Sequence, residues 1–501
     1  MAHEIDPEFT ALPLDEIAAA ALQRAEELGV EHADVRIERL RTADLVLHDA
    51  RLETSHHEDE RGVAIRVVHD GTWGFAGGLV VDPSAAPGLV DRAVEIARVS
   101  KPVTGERIEL AGEPSYGTQT WISDYDVDPF TISEGERIAL LADWSARLLR
   151  ADIVRHTDAT LKQVRETKFF ADLAGTRTTQ QRVRLHCQVS ALWVDDTSGR
   201  FESMRTIAPP VGRGWEYLTD GHDWDRELDE LPGWLAEKAQ APSVEPGTYD
   251  LIIDPSNLWL TIHESIGHAT ELDRALGYEA NYAGTSFATP DQLGILRYGS
   301  DLMHVTGDRQ VPHGLSTVGF DDEGVAAQTW DLVRDGTLVG YQLDRRTAAL
   351  RGLDRSNGCA FADSPVHVPI QRMANVSLQP APDGPSTADL IAGVEDGLYV
   401  VGDKSWSIDM QRYNFQFTGQ RFMRIKNGRL EGQVRDAAYQ ATTTDFWGSM
   451  SAVGGPQTYV LGGAFNCGKG QPGQVAAVSH GCPSALFNQV RILNASKEAG
   501  K

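Results

Sequence analysis

The stretch Ala241-Pro242-Ser243-Val244-Glu245-Pro246-Gly247 constrains the fold more than any other part of this sequence. Its two prolines lack the N–H that helix and sheet interiors need, and the glycine after them favours a turn. Regular structure must stop here, and the texture differs on the two sides. Helical and alternating segments mix before it; Gly-rich β texture with one long helix follows it. A chain of 501 residues holds roughly two to four domains at about 150 residues each. We read 1–112 as an N-terminal α+β domain, 113–243 as a central α+β domain and 244–501 as the C-terminal domain that carries the chemistry. The predicted class is α+β: N-terminal helices with antiparallel sheet, then a Gly-rich, mostly antiparallel β domain bearing one long motif helix.

In the first part, Ile17, Ala21, Ala25 and Leu28 share one side of a helix predicted over residues 15–28, with Gly29 as its stop. Alternating segments at 35–39, 44–48 and 63–68 read as strands. His69-Asp70-Gly71-Thr72 reads as a hairpin turn, because Asp-Gly accepts the positive φ such turns require. A helix over 88–99 closes this unit. Ser133 and Glu136 form a capping box ahead of Ile138, Leu141, Leu148 and Leu149. Strands dominate 164–204. The helical pattern over 224–239 contains Pro232-Gly233, which should break or kink it. Asp335-Gly336 and Asn427-Gly428 mark two further hairpins.

The second half opens with Asp254-Pro255, an acidic cap and a proline at the first helical position, starting a helix predicted to reach Ala275 with Gly277 as its stop. Inside it lies His263-Glu264-Ser265-Ile266-Gly267-His268. Two imidazoles around a carboxylate suit a zinc hydrolase: the imidazoles hold the metal, and the carboxylate deprotonates the attacking water. The spacing is unusual. Histidines four apart lie about 40° apart around a helix, whereas five apart gives about 140°. Both reach one ion only where the helix widens into a π-bulge or ends near His268. Gly267, without a Cβ, makes that distortion sterically easier. The competing reading is a buried helix whose histidines donate hydrogen bonds within the core.

A catalytic zinc typically takes three protein ligands and a water. Among the cysteines, Cys467 in Asn466-Cys467-Gly468-Lys469-Gly470 stands out, in a Gly-rich turn after a strand and near a lysine that favours thiolate. Cys482, beside His480 in Ser479-His480-Gly481-Cys482-Pro483, is its competitor. Cys187 reads as strand core and Cys359 lies in a loop; the four are too scattered for a disulfide framework. Lys and Arg total 46 against 72 Asp and Glu, a net charge of −26 that repels phosphate backbones and anionic lipid. Nucleic-acid and membrane-surface roles are disfavoured. No apolar run approaches about 18 residues. The acidic start (Glu4, Asp6, Glu8, Asp15, Glu16) fits no secretory signal, so a soluble, reduced, cytoplasmic protein is expected.

These residues resemble a known family. The His-Glu-x-x-x-His helix and the late Cys-Gly-Lys turn are similar to the TldD/PmbA peptidases, and among them to the metal-bearing TldD type. Gln371-Arg372-Met373-Ala374-Asn375 resembles the family's Arg-Met-Thr-Asn segment, and Ser407-Ile408-Asp409 with Phe415-Gln416-Phe417 resembles its late strand pair. Gly470-Gln471-Pro472 continues the terminal turn as the family does. The likeness covers most of the chain after Gly247; the order of elements before it is compatible but less specific. It implies His263 and His268 as metal-binding histidines, Glu264 as the catalytic glutamate and Cys467 as third ligand to one Zn²⁺ per chain. It implies a zinc-dependent metallopeptidase hydrolysing unfolded or extended peptides inside a dimer chamber, as a homodimer or with a TldE/PmbA-type subunit. The partner type lacks the helix motif, which this chain keeps. Two departures bear on substrate preference: Glu271-Leu272-Asp273 stands where the family often has Glu-Gly-Asp, and Asp403-Lys404-Ser405-Trp406 replaces a Gly-rich stretch.

Three rival readings remain: a non-catalytic partner subunit that keeps the motif structurally, a metal-independent hydrolase using Cys467 with His480 as base, and a structural zinc site in a binding module. Trp259, His263 and Gly267 are four apart, which places a tryptophan beneath the site. His56-His57-Glu58-Asp59 reads as a solvated turn between strands, and Asp321-Asp322-Glu323 as a strand cap at the surface.

Overall fold

The first half is organised by one very long antiparallel hairpin. Strand His32–His48 pairs with Arg51–His69 from His32↔Val68 to His48↔Arg51. The pattern at 35–39 and 44–48 suggests two short strands; they are one, because Leu40 continues the ladder to Glu60 on one edge and to Glu166 on the other. The strand serves two cores, which is why its alternation lapses in the middle. Val35 and Ile37 pack with Ile17, Ala21, Val90 and Val94, whereas Leu45 and Leu47 pack with Leu141, Leu148, Leu228 and Leu235. Seventeen residues at about 3.3 Å each reach across both. The computed structural model that shows this describes residues 3–498.

The same seven-stranded sheet takes Thr72–Gly78 on one side and His156–Asp172, Arg177–Val194 and Thr118–Ile122 on the other, with Phe201–Arg205 added to Arg177–Val194. Residues on both sides of position 112 therefore share one sheet. Helices Leu14–Glu27, Ala86–Ser100, Glu134–Leu149 and Trp224–Gln240 cover it. Asp70 and Gly71 turn the hairpin at φ 53° and 70°, and Ser133 with Glu136 forms the expected capping box. Trp224–Gln240 runs through Pro232 without breaking. Its buried face of Trp224, Leu228, Leu231 and Leu235 outweighs the lost hydrogen bond. His56–Asp59 lie in the exposed outer part of strand Arg51–His69 rather than in a turn.

Gly247–Ile253 follows directly on the proline-glycine break and enters a second seven-stranded sheet. Its order is Asp396–Ile408, Gly247–Ile253, Ala485–Asn494, Ala437–Thr442, Asn414–Lys426, Arg429–Val434, with Met450–Val453 beside Ala485–Asn494. Asp396–Ile408 also pairs with Asn414–Lys426, which closes five of these strands into a ring. Asp335-Gly336 and Asn427-Gly428 turn hairpins as expected. The motif helix Pro255–Ile262 buries Leu258 and Ile262 against Leu398, Val400, Phe417 and Tyr439.

Asp321–Glu323 is buried, not a surface cap. Arg66 reaches Glu323 at 2.7 Å and Lys168 reaches Asp322 at 2.9 Å, tying the first sheet to the second half. Cations from distant strands gave no local signal of this. Among the described residues no helix is long and apolar enough to cross a membrane.

Candidate metal centre

Asp254 starts the motif helix by accepting the Ser256 N–H at 3.0 Å. After Ile262 the backbone widens: His263–Gly267 is a π turn and His268–Thr270 a tight 3₁₀ turn. The wider turn brings the two imidazoles onto one face, with ring centroids 4.7 Å apart. Glu271 is extended and Leu272–Ala275 forms a separate short helix, so the helix expected to reach Ala275 is a series of pieces. Gly267 itself keeps helical angles, φ −52° and ψ −62°. It is small for another reason: a Cβ there would lie 2.5 Å from Met373 Sδ and 2.9 Å from its Cε.

His263, His268 and Cys467 each offer a donor atom within 4.8 Å of the others, and all three are buried. Cys467 lies in strand Val460–Lys469, not in a turn. The register with Gln474–Cys482 shifts between Ala464 and Cys467, an irregularity of the kind that re-aims a side chain. Cys467 Sγ sits 3.6 Å from His268 Nε2. A tetrahedral zinc with Zn–N near 2.0 Å and Zn–S near 2.3 Å separates the two donors by about 3.6 Å, so the donor set fits. Arg372 anchors this strand from below, donating from Nη1 to Gln474 O at 2.9 Å and from Nη2 to Cys467 O.

Hydrogen bonds assign the tautomers. His480 Nδ1 lies 2.9 Å from Val376 O, an acceptor only, so it carries the proton. His480 Nε2 then accepts from His263 Nδ1 at 2.7 Å, which leaves His263 Nε2 unprotonated. His268 Nδ1 donates to Glu271 Oε2 at 2.8 Å, and its Nε2 faces Cys467. Burial lowers the pKa of both histidines and keeps them neutral. For Cys467, burial opposes ionisation, and the positive charge of Arg372 favours it. Lys469 is engaged elsewhere: its Nζ meets Asp273 Oδ1 at 2.8 Å, Gln371 Oε1 at 2.9 Å and Glu271 Oε1 at 3.1 Å. Although burial pushes Glu271 up, Lys469 and His268 pull it well below the carboxylate range. The lysine acts on the carboxylate behind His268, not on the thiol.

Glu264 projects from the π turn, and Arg412 Nη1 donates to its Oε2. Arg412 occupies the loop between Asp396–Ile408 and Asn414–Lys426 at φ 64°. Asp409 secures that loop, accepting the N–H of Gln411 at 3.0 Å, Tyr413 at 2.8 Å and Asn414 at 3.0 Å. A non-glycine residue held at positive φ beside a candidate base is strain stored at a site. Trp259 lies beneath the histidines as expected, nearly parallel to His480 with centroids 6.3 Å apart. Cys482 contacts Pro255 O at 3.7 Å, away from the cluster, and burial raises its thiol far above the usual range. Both His480 nitrogens are engaged, with Val376 and His263, which leaves neither to serve Cys467 as a base.

Sequence reasoning missed Arg412, Glu271, Arg372 and His480 in these roles. Only Glu271, three residues after His268, carried a local signal.

The chain is similar to known proteins over most of its length. Residues 246–494 match the PmbA/TldA metallopeptidase C-terminal domain, and residues 33–97 match PmbA/TldA metallopeptidase domain 1. A metalloprotease of Methanothermobacter thermautotrophicus is 27% identical over 469 residues, covering 93% of this chain and 95% of its own. A zinc metalloprotease TldD homolog of Saccharolobus solfataricus is 22% identical, covering 94% of this chain and 98% of its own. In fold, the chain is similar to TldE from Thermococcus kodakarensis, with a TM-score of 0.70 and 14% identity over 94% of this chain and 98% of that one.

Proposed function

Since the chain belongs to the PmbA/TldD metallopeptidase family, we propose that it is a TldD-type, zinc-dependent peptidase of unfolded or extended peptides, with Glu264 as general base. The observation that carries this reading is the convergence of three buried donors, His263, His268 and Cys467, on the turn that also bears Glu264. Two imidazole nitrogens and a thiolate select a zinc-class ion over magnesium or calcium.

When bound, the ion supplies Lewis acidity toward water and the scissile carbonyl. The chain's own residues do the rest. Glu264 accepts a proton from the attacking water and passes it to the leaving amine. Arg412 fixes the Glu264 carboxylate by holding Oε2. His480 and Glu271 keep the Nε2 atoms of His263 and His268 free of protons and correctly aimed. The active assembly is a dimer enclosing the site, either of two such chains or with a TldE-type subunit. Its place is the reducing cytoplasm, in keeping with four buried free cysteines.

Zinc quantification on the purified chain beside its Cys467→Ser and Glu264→Gln variants tests the proposal. Cys467→Ser is expected to lose the zinc held at this centre. Glu264→Gln is expected to keep it while peptide hydrolysis falls by about 10²- to 10⁴-fold. Equal zinc in wild type and Cys467→Ser would remove the thiol from the ligand set.

A further inference from the structure

Far from the motif helix, the tip of the long hairpin brings two histidines and two aspartates together. His48 ends strand His32–His48, Asp49 is the first residue of the turn, and His156 opens the neighbouring strand His156–Asp172. Their donor atoms lie within 4.8 Å of one another. From this geometry we infer a second transition-metal site, with His48 Nε2, Asp49 Oδ2 and His156 Nδ1 as ligands to a zinc-class divalent ion.

One of the two measured edges has the spacing of a metal site, and the other is a hydrogen bond whose proton an ion would displace. Around a tetrahedral zinc, nitrogen and oxygen donors stand about 3.4 Å apart. His48 Nε2 lies 3.4 Å from Asp49 Oδ2, too long for a good hydrogen bond and equal to that edge. His156 Nδ1 is hydrogen-bonded to the same oxygen at 2.9 Å, and the two rings are nearly parallel with centroids 5.5 Å apart. One carboxylate oxygen thus faces two imidazole nitrogens.

The surroundings are those of a built site. His48 Nδ1 donates to Asp158 Oδ1 at 2.9 Å, the carboxylate–histidine arrangement that leaves Nε2 unprotonated for a metal. The Asp49 carboxylate is aimed by its other oxygen, which accepts the Thr157 N–H at 2.9 Å. Its backbone is pinned as well: Asp49 N–H donates to Thr157 O at 2.9 Å, and Ala50 N–H to Ser145 Oγ at 2.9 Å. Asp49 and Ala50 both adopt positive φ, 47° and 62°, so a tight turn presents the carboxylate to both rings. A bound ion would staple the hairpin turn to the start of strand His156–Asp172, with solvent completing its shell. Imidazole ligands favour zinc, cobalt or nickel over magnesium or calcium.

The experiment is zinc uptake by the chelator-stripped full chain in equilibrium dialysis. Wild type is expected to bind two equivalents, His156→Gln and His48→Gln one each, and Cys467→Ser one. Both histidine side chains are 42% exposed, so these variants keep the fold, which far-UV circular dichroism verifies. Cobalt(II) separates the two centres. The single ion in Cys467→Ser is expected to show visible ligand-field bands without the near-ultraviolet thiolate band, and His156→Gln to show both. If wild type binds one equivalent that Cys467→Ser abolishes and the histidine variants leave unchanged, this site is refuted while the peptidase reading stands. The reverse pattern refutes the catalytic centre and supports this one.

Discussion

Glu271→Gln is the sharpest perturbation of the proposed centre, because it changes one atom and replaces no ligand. Glu271 Oε2 accepts from His268 Nδ1 at 2.8 Å, and Oε1 meets Lys469 Nζ at 3.1 Å; both side chains of that ion pair are 1% exposed. A glutamine has one acceptor oxygen for these two donors. Either its amide N–H₂ faces the His268 N–H, or it faces the Lys469 ammonium. A hydrogen bond to a charged group is worth about 1.5–3 kcal/mol, and an outer-shell partner of a metal-binding histidine about 10- to 100-fold in affinity. At about 1.4 kcal/mol per tenfold the two figures agree. Glu271→Gln is therefore expected to weaken zinc binding by about 10- to 100-fold in competition with a chelator of known affinity. Glu279→Gln is the matched control. It lies 3.7 Å from Lys469 and 3.2 Å from Arg274 but contacts neither histidine, and its affinity is expected to stay within about threefold of wild type. A Glu271→Gln variant that is folded and binds zinc within twofold of wild type refutes the outer-shell reasoning.

Arg412→Ala is expected to keep its zinc and lose about 10²-fold in kcat/KM, since it frees the Glu264 carboxylate from its fixed position; steady-state kinetics with metal analysis check this. Gly267→Ala drives a Cβ into Met373 and is expected to cost about 1–3 kcal/mol in a denaturant titration, with a Met373→Ala background recovering part of the loss. Glu38 gives a pH signature: burial pushes its carboxyl up to about 7, and neither oxygen finds a hydrogen bond. The native state holds that proton where the unfolded chain, near 4.3, has released it, so this residue's contribution to stability falls as pH rises from about 4.3 to 7. Glu38→Gln is accordingly expected to raise Tm at pH 8 and to change it little at pH 4, read by thermal melts at both.

What the sequence disclosed and what it hid follow one physical division. Local rules carried through wherever a few neighbouring residues decide the outcome. Asp70-Gly71 turned the hairpin, Ser133 and Glu136 capped their helix, and the five-residue spacing of His263 and His268 called for a widened turn or a helix end near His268, where the backbone has a π turn followed by a 3₁₀ turn. Local rules failed where one element serves two partners. Residues 40–43 broke the alternation because the strand passes from one core to the next, and Pro232 was overruled by a continuous buried face.

Residues that orient the candidate centre lie in the same blind region for a stronger reason. Lys469 stands 198 residues from Glu271, and Arg412 stands 148 residues from Glu264. Arg412 reaches that carboxylate because Asp396–Ile408 and Asn414–Lys426 pair along their edges and close the ring of strands, which swings their connecting loop over the π turn. The donor types could be named from a hexapeptide and one cysteine, since metal chemistry restricts them to few residue kinds. The groups that aim those donors are restricted only by geometry. A carbonyl (Val376), a carboxylate (Glu271) or a guanidinium (Arg412) serves equally well wherever the chain happens to deliver it.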